Sequence, residues 1–507
     1  LHKAIRRQRQ MCIRDSNKAL KENANALISE YNGDVQTYGD LLLEIEEKYN
    51  SVREKNLSGL KCVILCRKSS EALKMSLFCW RLDMIVIPAS FHYGEDNIWS
   101  ILNVTKPDLI LTDDEEINIL ENVPAFTFSG WDGNIAKHEI DLELDKIEIL
   151  MCTSGTTGEP KASMFTGHAI STNVNMILNY FKLNSDDNIL VCRPLYHCAV
   201  LVGEVLVSII KGVNILFYSW EFNPIIVSRI ILEKNITVVC GTPTILKGVA
   251  DYLKHKNRSP KLHMVVVSGE FLIPEYAAKI EESFPKTQIY NVYGLTEAGP
   301  RVSYLPYNDF HNKVGSVGIP LKGVKIRILS KNELEKNCQV GNIQIRTPSL
   351  MRGYYGNPEK TLNRFCGEWF DTGDIGYFDE DGYLYVIGRS DDMIIKSGIN
   401  IYPQEIESKL LKMEEIEAVI VYGKLVKNTE QIFADIIPSQ PFKNISEQEM
   451  KICISKKISS FHMPYEIHLV NCFSRNASGK VVRPHFVRRI GTVSYTHLRA
   501  HETCADL

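Results

Sequence analysis

I-E-I-L-M-C-T-S-G-T-T-G-E-P-K, Ile147 to Lys161, runs from an apolar, strand-like segment (Ile147 to Met151) into a loop of hydroxyls, glycines and a lysine. A helix-like segment follows from near His168. A loop of this kind presents backbone N–H groups, side-chain donors and positive charge together, which is what a polyphosphate requires. The expectation is a nucleotide triphosphate site built at the end of a strand. It is not a Walker-type loop, because Gly158 is followed by Glu159 and Pro160 where that motif puts Lys and Ser/Thr. Taken alone, a Ser/Thr/Gly cluster can also be a solvated turn.

On both sides of the loop, from Gly59 to Asn291, short apolar runs alternate with longer amphipathic segments. K-C-V-I-L-C, M-I-V-I-P and D-L-I-L-T precede it; N-I-L-V-C, V-N-I-L-F-Y, I-T-V-V-C and H-M-V-V-V-S follow it. Helix-length stretches such as Ser70 to Asp83 and Glu95 to Thr105 separate them, the pattern of parallel α/β layers. The fold class is α/β: two α/β subdomains meet near the loop. Between about Lys313 and Gly388 short strands punctuated by Gly and Pro predict a small antiparallel, β-barrel-like element. These parts form a large N-terminal domain over 17–390, followed by a small α+β C-terminal domain over 391–490. In the latter, helices start at Pro403 and Ser446, and strands cover Ala418 to Tyr422, Ile432 to Ile437 and the region of Ile467.

A chain of 507 residues, 44% hydrophobic and 23% charged, is long enough for two or more domains with large cores. A net charge of −3 gives no global attraction for nucleic acid or anionic lipid, so anion binding must be local. Thirteen cysteines without paired C-x-x-C spacing argue against a zinc site and for reduced thiols in the cytoplasm. The apolar stretch Ala199 to Tyr218 is interrupted by Glu204 and Lys211, so no integral membrane segment is expected. Residues 1–16 and 491–507 contain runs that resemble translated sequencing-adapter sequence, and both ends are expected to be disordered.

Three further stretches extend the phosphate-loop reading: Tyr293-Gly294-Leu295-Thr296-Glu297; Asp371-Thr372-Gly373-Asp374 with Gly388-Arg389-Ser390-Asp391; and Ala477-Ser478-Gly479-Lys480. With the loop, in this order and at these separations, they resemble the adenylate-forming superfamily of acyl-CoA synthetases, aryl-CoA ligases, luciferases and adenylation domains. The resemblance covers about Thr37 to Arg483. It implies ATP- and Mg²⁺-dependent activation of a carboxylic acid as an acyl adenylate, followed by transfer to a thiol. The acceptor is CoA or, alternatively, a carrier-protein phosphopantetheine. A luciferase-type oxygenase and a non-catalytic nucleotide-binding protein are the other readings.

The resemblance also implies roles. Thr153 opens the loop, Ser154, Thr156 and Thr157 donate to the β- and γ-phosphates, Gly155 and Gly158 allow close backbone approach, and Lys161 supplies charge. Tyr293 stacks on adenine beside Gly294, with Gly269 and Glu270 forming the opposing turn. Thr296 bonds the α-phosphate, Glu297 holds Mg²⁺, and Asp374 and Arg389 grip the ribose. Lys480 bridges carboxylate and α-phosphate as negative charge develops. Asp391 is the hinge about which the small domain turns for the thiol step, bringing Lys396 and Gly398 to the thiol channel. His197, in R-P-L-Y-H-C, stands beside the substrate carboxylate, and the segment after it lacks the Asp of amino-acid-activating relatives. An acyl or aryl acid is therefore expected, its tail among Val200, Leu201, Val202, Thr242 and Leu246. Ala162, where a glycine commonly follows the loop lysine, and the glycine-poor L-D-M-I-V-I-P at 82–88 depart from the family pattern.

Overall fold

The computed structural model describes residues 11–115, 123–135, 142–153, 160–330, 340–396, 399–427, 429–473 and 483–484. Its first half is two sheets flanked by helices. One has seven strands in the order Gly353–Tyr354, Lys161–Thr166, Ile147–Thr153, Ile85–Ser90, Lys61–Cys66, Leu109–Thr112, Ala125–Thr127. The pairings from Ile147–Thr153 outward through Ala125–Thr127 are parallel. The strand Lys161–Thr166 instead turns back antiparallel on Ile147–Thr153, with Thr153 opposite Lys161. The strands on either side of the expected phosphate loop thus pair antiparallel, and the helix Gly167–Tyr180 comes one strand later, capped by the Thr166 hydroxyl on the Ala169 N–H.

The other sheet has nine strands, with Gln288–Tyr293, Met264–Ser268, Val238–Gly241, Asn188–Val191, Asn214–Phe217 and Leu27–Glu30 paired in parallel in that order. Leu27–Glu30 precedes the first sheet in the chain yet pairs in the second. It therefore ties the two α/β layers together. The run Ala199 to Tyr218 folds into short helical segments and the strand Asn214–Phe217, mostly buried. Among the described residues no helix is long and apolar enough to cross a membrane.

Downstream lies an antiparallel sheet of Lys325–Leu329, Gly341–Arg346, Trp369–Phe378, Phe365–Cys366 and Leu384–Arg389. The last unit pairs Ile416–Val426, Thr429–Pro438 and Glu466–Leu469, with the hairpin Ile394–Lys396/Ile399–Ile401 and the helices Pro403–Leu410 and Glu447–Ser455. It has its own apolar core around Ile406, Leu410, Val421, Ile436 and Ile454. At the other end, the helix Met11–Glu22 begins inside the adapter-like stretch 1–16. Ser16, Ala19 and Leu20 are buried where this helix packs on Gly167–Tyr180 and Val207–Lys211. Burial of an inner face keeps it helical whatever the origin of its first residues. Residues 491–507 lie outside the described residues.

Candidate active site

The three sheets meet around Tyr293, Glu297, Lys161 and Asp374. Gln288–Tyr293 ends at its carboxyl edge in Gly294, where a Cβ would stand 1.8 Å from the Pro300 carbonyl oxygen. Only glycine lets the chain fold back into the turn Thr296–Ala298 at that point. The turn hands Glu297 to the first sheet: Tyr354 Oη donates to Glu297 Oε1 at 2.8 Å, and the Met351 N–H donates to the Glu297 carbonyl at 2.8 Å. Lys161 Nζ lies 5.7 Å from the centroid of the same Tyr354 ring. Burial, together with repulsion from Lys360, Arg364 and Arg389, pulls the Lys161 ammonium down to about 8, while Glu297 pulls the other way.

On the third sheet Asp374 and Arg389 sit opposite each other across an antiparallel pair, and Arg389 Nη1 donates to Asp374 Oδ1 at 3.2 Å. Tyr293 Oη donates to Asp374 Oδ2 at 2.5 Å; burial and then the Asp374 charge push this phenol well above its ordinary value. Gly373, at φ +74, lies inside the strand Trp369–Phe378 where its register against Gly341–Arg346 shifts, just before Asp374, and a Cβ there would meet Arg364 Nη1 at 2.6 Å and Arg389 Nη2 at 3.1 Å. Tyr354, Lys360 and Arg364 escaped the sequence reading. M-R-G-Y-Y-G and a helix-start Pro-Glu-Lys carry no local mark of a site, and their role comes from pairing Gly353–Tyr354 onto the loop hairpin.

Other expected residues divide. Gly269 holds φ +95 after Met264–Ser268, a backbone conformation that favours glycine, with Arg193 Nη1 and Thr242 3.7 Å from a built Cβ. The Glu270 carboxylate is occupied at the start of the helix Pro243–His255, accepting from Thr244 Oγ1 at 2.8 Å. His197 is partly buried, its ring 4.2 Å from that of Tyr196, just before the helical turn Cys198–Val200. Asp391 is exposed at the turn after Arg389, and its charge reaches that guanidinium. Lys396 Nζ donates to the Phe461 carbonyl at 2.8 Å inside the C-terminal unit, and burial lowers its pKa. Ser154, Gly155, Thr156, Thr157, Gly158, Gly398 and Lys480 lie outside the described residues.

The donor set suits a nucleotide. Lys161, Lys360, Arg364 and Arg389 concentrate positive charge in one place, and Asp374 offers an acceptor next to them. For Mg²⁺ the site supplies one carboxylate, Glu297; among the described residues no cluster of three or more His, Cys, Asp or Glu is present. That fits an ion held mostly by phosphate oxygens and water rather than by a protein cage.

The AMP-binding enzyme model matches residues 15–355 of this chain. The feruloyl-CoA synthase of Amycolatopsis sp is 26% identical over 473 residues, 91% of this chain and 95% of that protein. The 2-succinylbenzoate–CoA ligase of Oceanobacillus iheyensis is 33% identical over 359 residues, 69% of this chain and 72% of that protein. In fold, the o-succinylbenzoate coenzyme A synthetase of Bacillus subtilis, solved with ATP and magnesium ion, matches with a TM-score of 0.78 at 24% identity, over 91% of this chain and 98% of that chain. Family match, relatives and architecture agree with the four motifs: the chain is an enzyme of the AMP-binding family.

Proposed function

We propose that this enzyme is an AMP-forming acid:thiol ligase that activates a carboxylic acid with ATP, releases pyrophosphate, and passes the acyl group to CoA in the cytoplasm. The observation that carries the reading is the gathering of Lys161, Lys360, Arg364 and Arg389 near the Glu297 carboxylate, at an edge where Tyr293 and Asp374 are already joined. A carboxylate is a poor acyl donor because its leaving group would be oxide. Attack of one carboxylate oxygen on the α-phosphorus, with the P–O bond to pyrophosphate breaking, replaces that leaving group with AMP. Catalysis of this step is positioning and charge neutralisation. Lys161 would hold the departing phosphates, Thr296 the α-phosphate, and Asp374 with Arg389 the ribose, while His197 and the Lys480 loop would flank the attacking carboxylate. Mg²⁺ bound at Glu297 would neutralise phosphate charge.

The thiol step then breaks the acyl–phosphate bond, forms the thioester and frees AMP. In this proposal the unit 391–490 rotates about Asp391 between the steps, and Lys396 exchanges the Phe461 carbonyl for the thiol channel. CoA as acceptor is supported by the names of both relatives. The test is pyrophosphate release with ATP, Mg²⁺ and a panel of fatty, aryl and amino acids, each with and without CoA. Release that depends on a fatty or aryl acid and is stimulated by CoA is the expected result. Silence across the panel from folded, ATP-binding protein overturns it.

A further inference from the structure

The segment after His197 holds charge that the steps above do not use. Six residues, Leu201–Leu206, take the wide π turn between two short α segments, a geometry that recurs at functional sites. Glu204 sits in that turn at 0% exposure, and Arg193, 8% exposed, donates its Nη2 to Glu204 Oε1. Arg301, 2% exposed, lies against the same turn: a Cβ built on Gly203 would stand 3.0 Å from its Nη2 and 3.2 Å from its Cζ. Burial holds the Glu204 carboxyl above its ordinary value, although Arg193 and then Arg301 pull the other way.

Two buried guanidiniums share one carboxylate, so the cluster keeps a formal charge of one plus. Arg193 Nε, Arg301 Nε, Glu204 Oε2 and Ser268 Oγ are all buried without a hydrogen-bond partner. Buried charge is tolerated when it is paired and its donors are satisfied; here both conditions fall one anion short. The location joins the two ends of the site. Arg193 Nη1 comes within 3.7 Å of a Cβ built on Gly269, and Cys198, next to His197, feels both Arg301 and Glu297. Tyr180, stacked on Tyr304 with centroids 4.3 Å apart, reaches Arg301 with its hydroxyl and walls the cluster.

We propose that Arg193 and Arg301 anchor a second, distal carboxylate of the acid substrate, with Glu204 holding the two guanidiniums in orientation, so that the enzyme activates one end of a dicarboxylic acid. This rests on the acid-activation reading above. A planar guanidinium suits the role because it pairs a carboxylate through two parallel N–H donors and stays charged when buried. Arg193 and Arg301 are then specificity residues, and the apolar positions Val200, Leu201 and Val202 on the same segment pack the core around them.

The test uses the full chain and AMP formation, with acids paired by size: pentanoate against glutarate, hexanoate against adipate, benzoate against terephthalate. In at least one pair kcat/KM for the diacid is expected to exceed that for the monoacid by about 10²-fold, because a site built to bond a polar group rejects the analogue lacking it. Arg301→Gln should lower the diacid-to-monoacid ratio at least about tenfold through the diacid KM, and Arg301→Lys should restore part of it. A cluster that only packs the core would lower both acids alike and leave the ratio in place, which overturns the proposal. Should the variants fail to fold, the wild-type pairs decide alone: monoacids turned over as well as their diacids in every pair defeat the anchor and leave acid activation standing. No turnover of any acid, with ATP bound, defeats the acid-activation reading and the anchor with it.

Discussion

Lys161 offers a quantitative test of the nucleotide site. In the free protein its ammonium titrates at about 8, held down by burial and by Lys360, Arg364 and Arg389. A polyphosphate placed there adds negative charge beside the ammonium, which outweighs burial and the cationic neighbours and returns the group towards the ordinary lysine range of about 10.4. The sign follows: the bound state holds the proton more tightly, so binding takes up protons wherever the free lysine is partly neutral. At pH 8 about half of the free lysines lack the proton, and ATP binding should take up about 0.5 proton per site. At pH 6 the uptake from this lysine vanishes, and above pH 8 affinity should fall about tenfold per unit until pH approaches 10.4. Isothermal titration calorimetry at pH 8 in buffers of different ionisation enthalpy reads the uptake directly. The terminal phosphate, with a second pKa near about 6, contributes little at that pH. Lys161→Met should abolish the uptake and weaken binding. No uptake at pH 8, or equal uptake in Lys161→Met, would refute the placement of phosphate beside this lysine.

Four other outcomes follow from the geometry. Gly294→Ala forces its Cβ into the Pro300 carbonyl and should lower stability by about 3 kcal/mol, read as a thermal shift with loss of activity. Tyr293→Phe removes the donor to Asp374 and should raise the KM for ATP about tenfold with a smaller change in kcat. Arg483→Met leaves Glu407 without its cation. Because Arg483 also donates to the Val421 carbonyl at 2.7 Å, urea unfolding should show the C-terminal unit weakened by about 3 kcal/mol. Lys480→Ala should slow adenylation about 10²–10³-fold, while Lys396→Ala slows only thioester formation; the two half-reactions followed separately by pyrophosphate and thioester release check this.

Much of the fold could be read where local chemistry decides it. The helix Glu95–Thr105 falls on the residues expected, because Gly94 at φ +74 opens it, two acids fill its first turn and Lys106 closes it in the left-handed region. The helix expected from Ser446 forms as Glu447–Ser455, where the Ser446 hydroxyl and Glu449 make a reciprocal cap. The motif glycines were legible too, since Gly294 stands where no side chain fits and Gly373 holds a positive φ. What escaped is non-local. K-A-S-M-F-T after the phosphate loop becomes a strand only by pairing back on Ile147–Thr153, and Leu27–Glu30 finds its partner at Asn214–Phe217. Glu204 reads in sequence as an interruption of an apolar run. Its meaning depends on Arg193 and Arg301, which the fold brings to it from a strand end and from the turn after Glu297. Glu270 shows the converse: a residue of a nucleotide motif whose carboxylate serves a helix start.

The central claim is tested most directly by incubating the protein with ATP, Mg²⁺ and a turned-over acid without thiol, examining the bound products by mass spectrometry, and then adding CoA. The account predicts an acyl adenylate on the protein and, after CoA, one thioester and one AMP for each pyrophosphate released. ADP and phosphate as the products, or AMP formed with no acyl group attached at any stage, would contradict it.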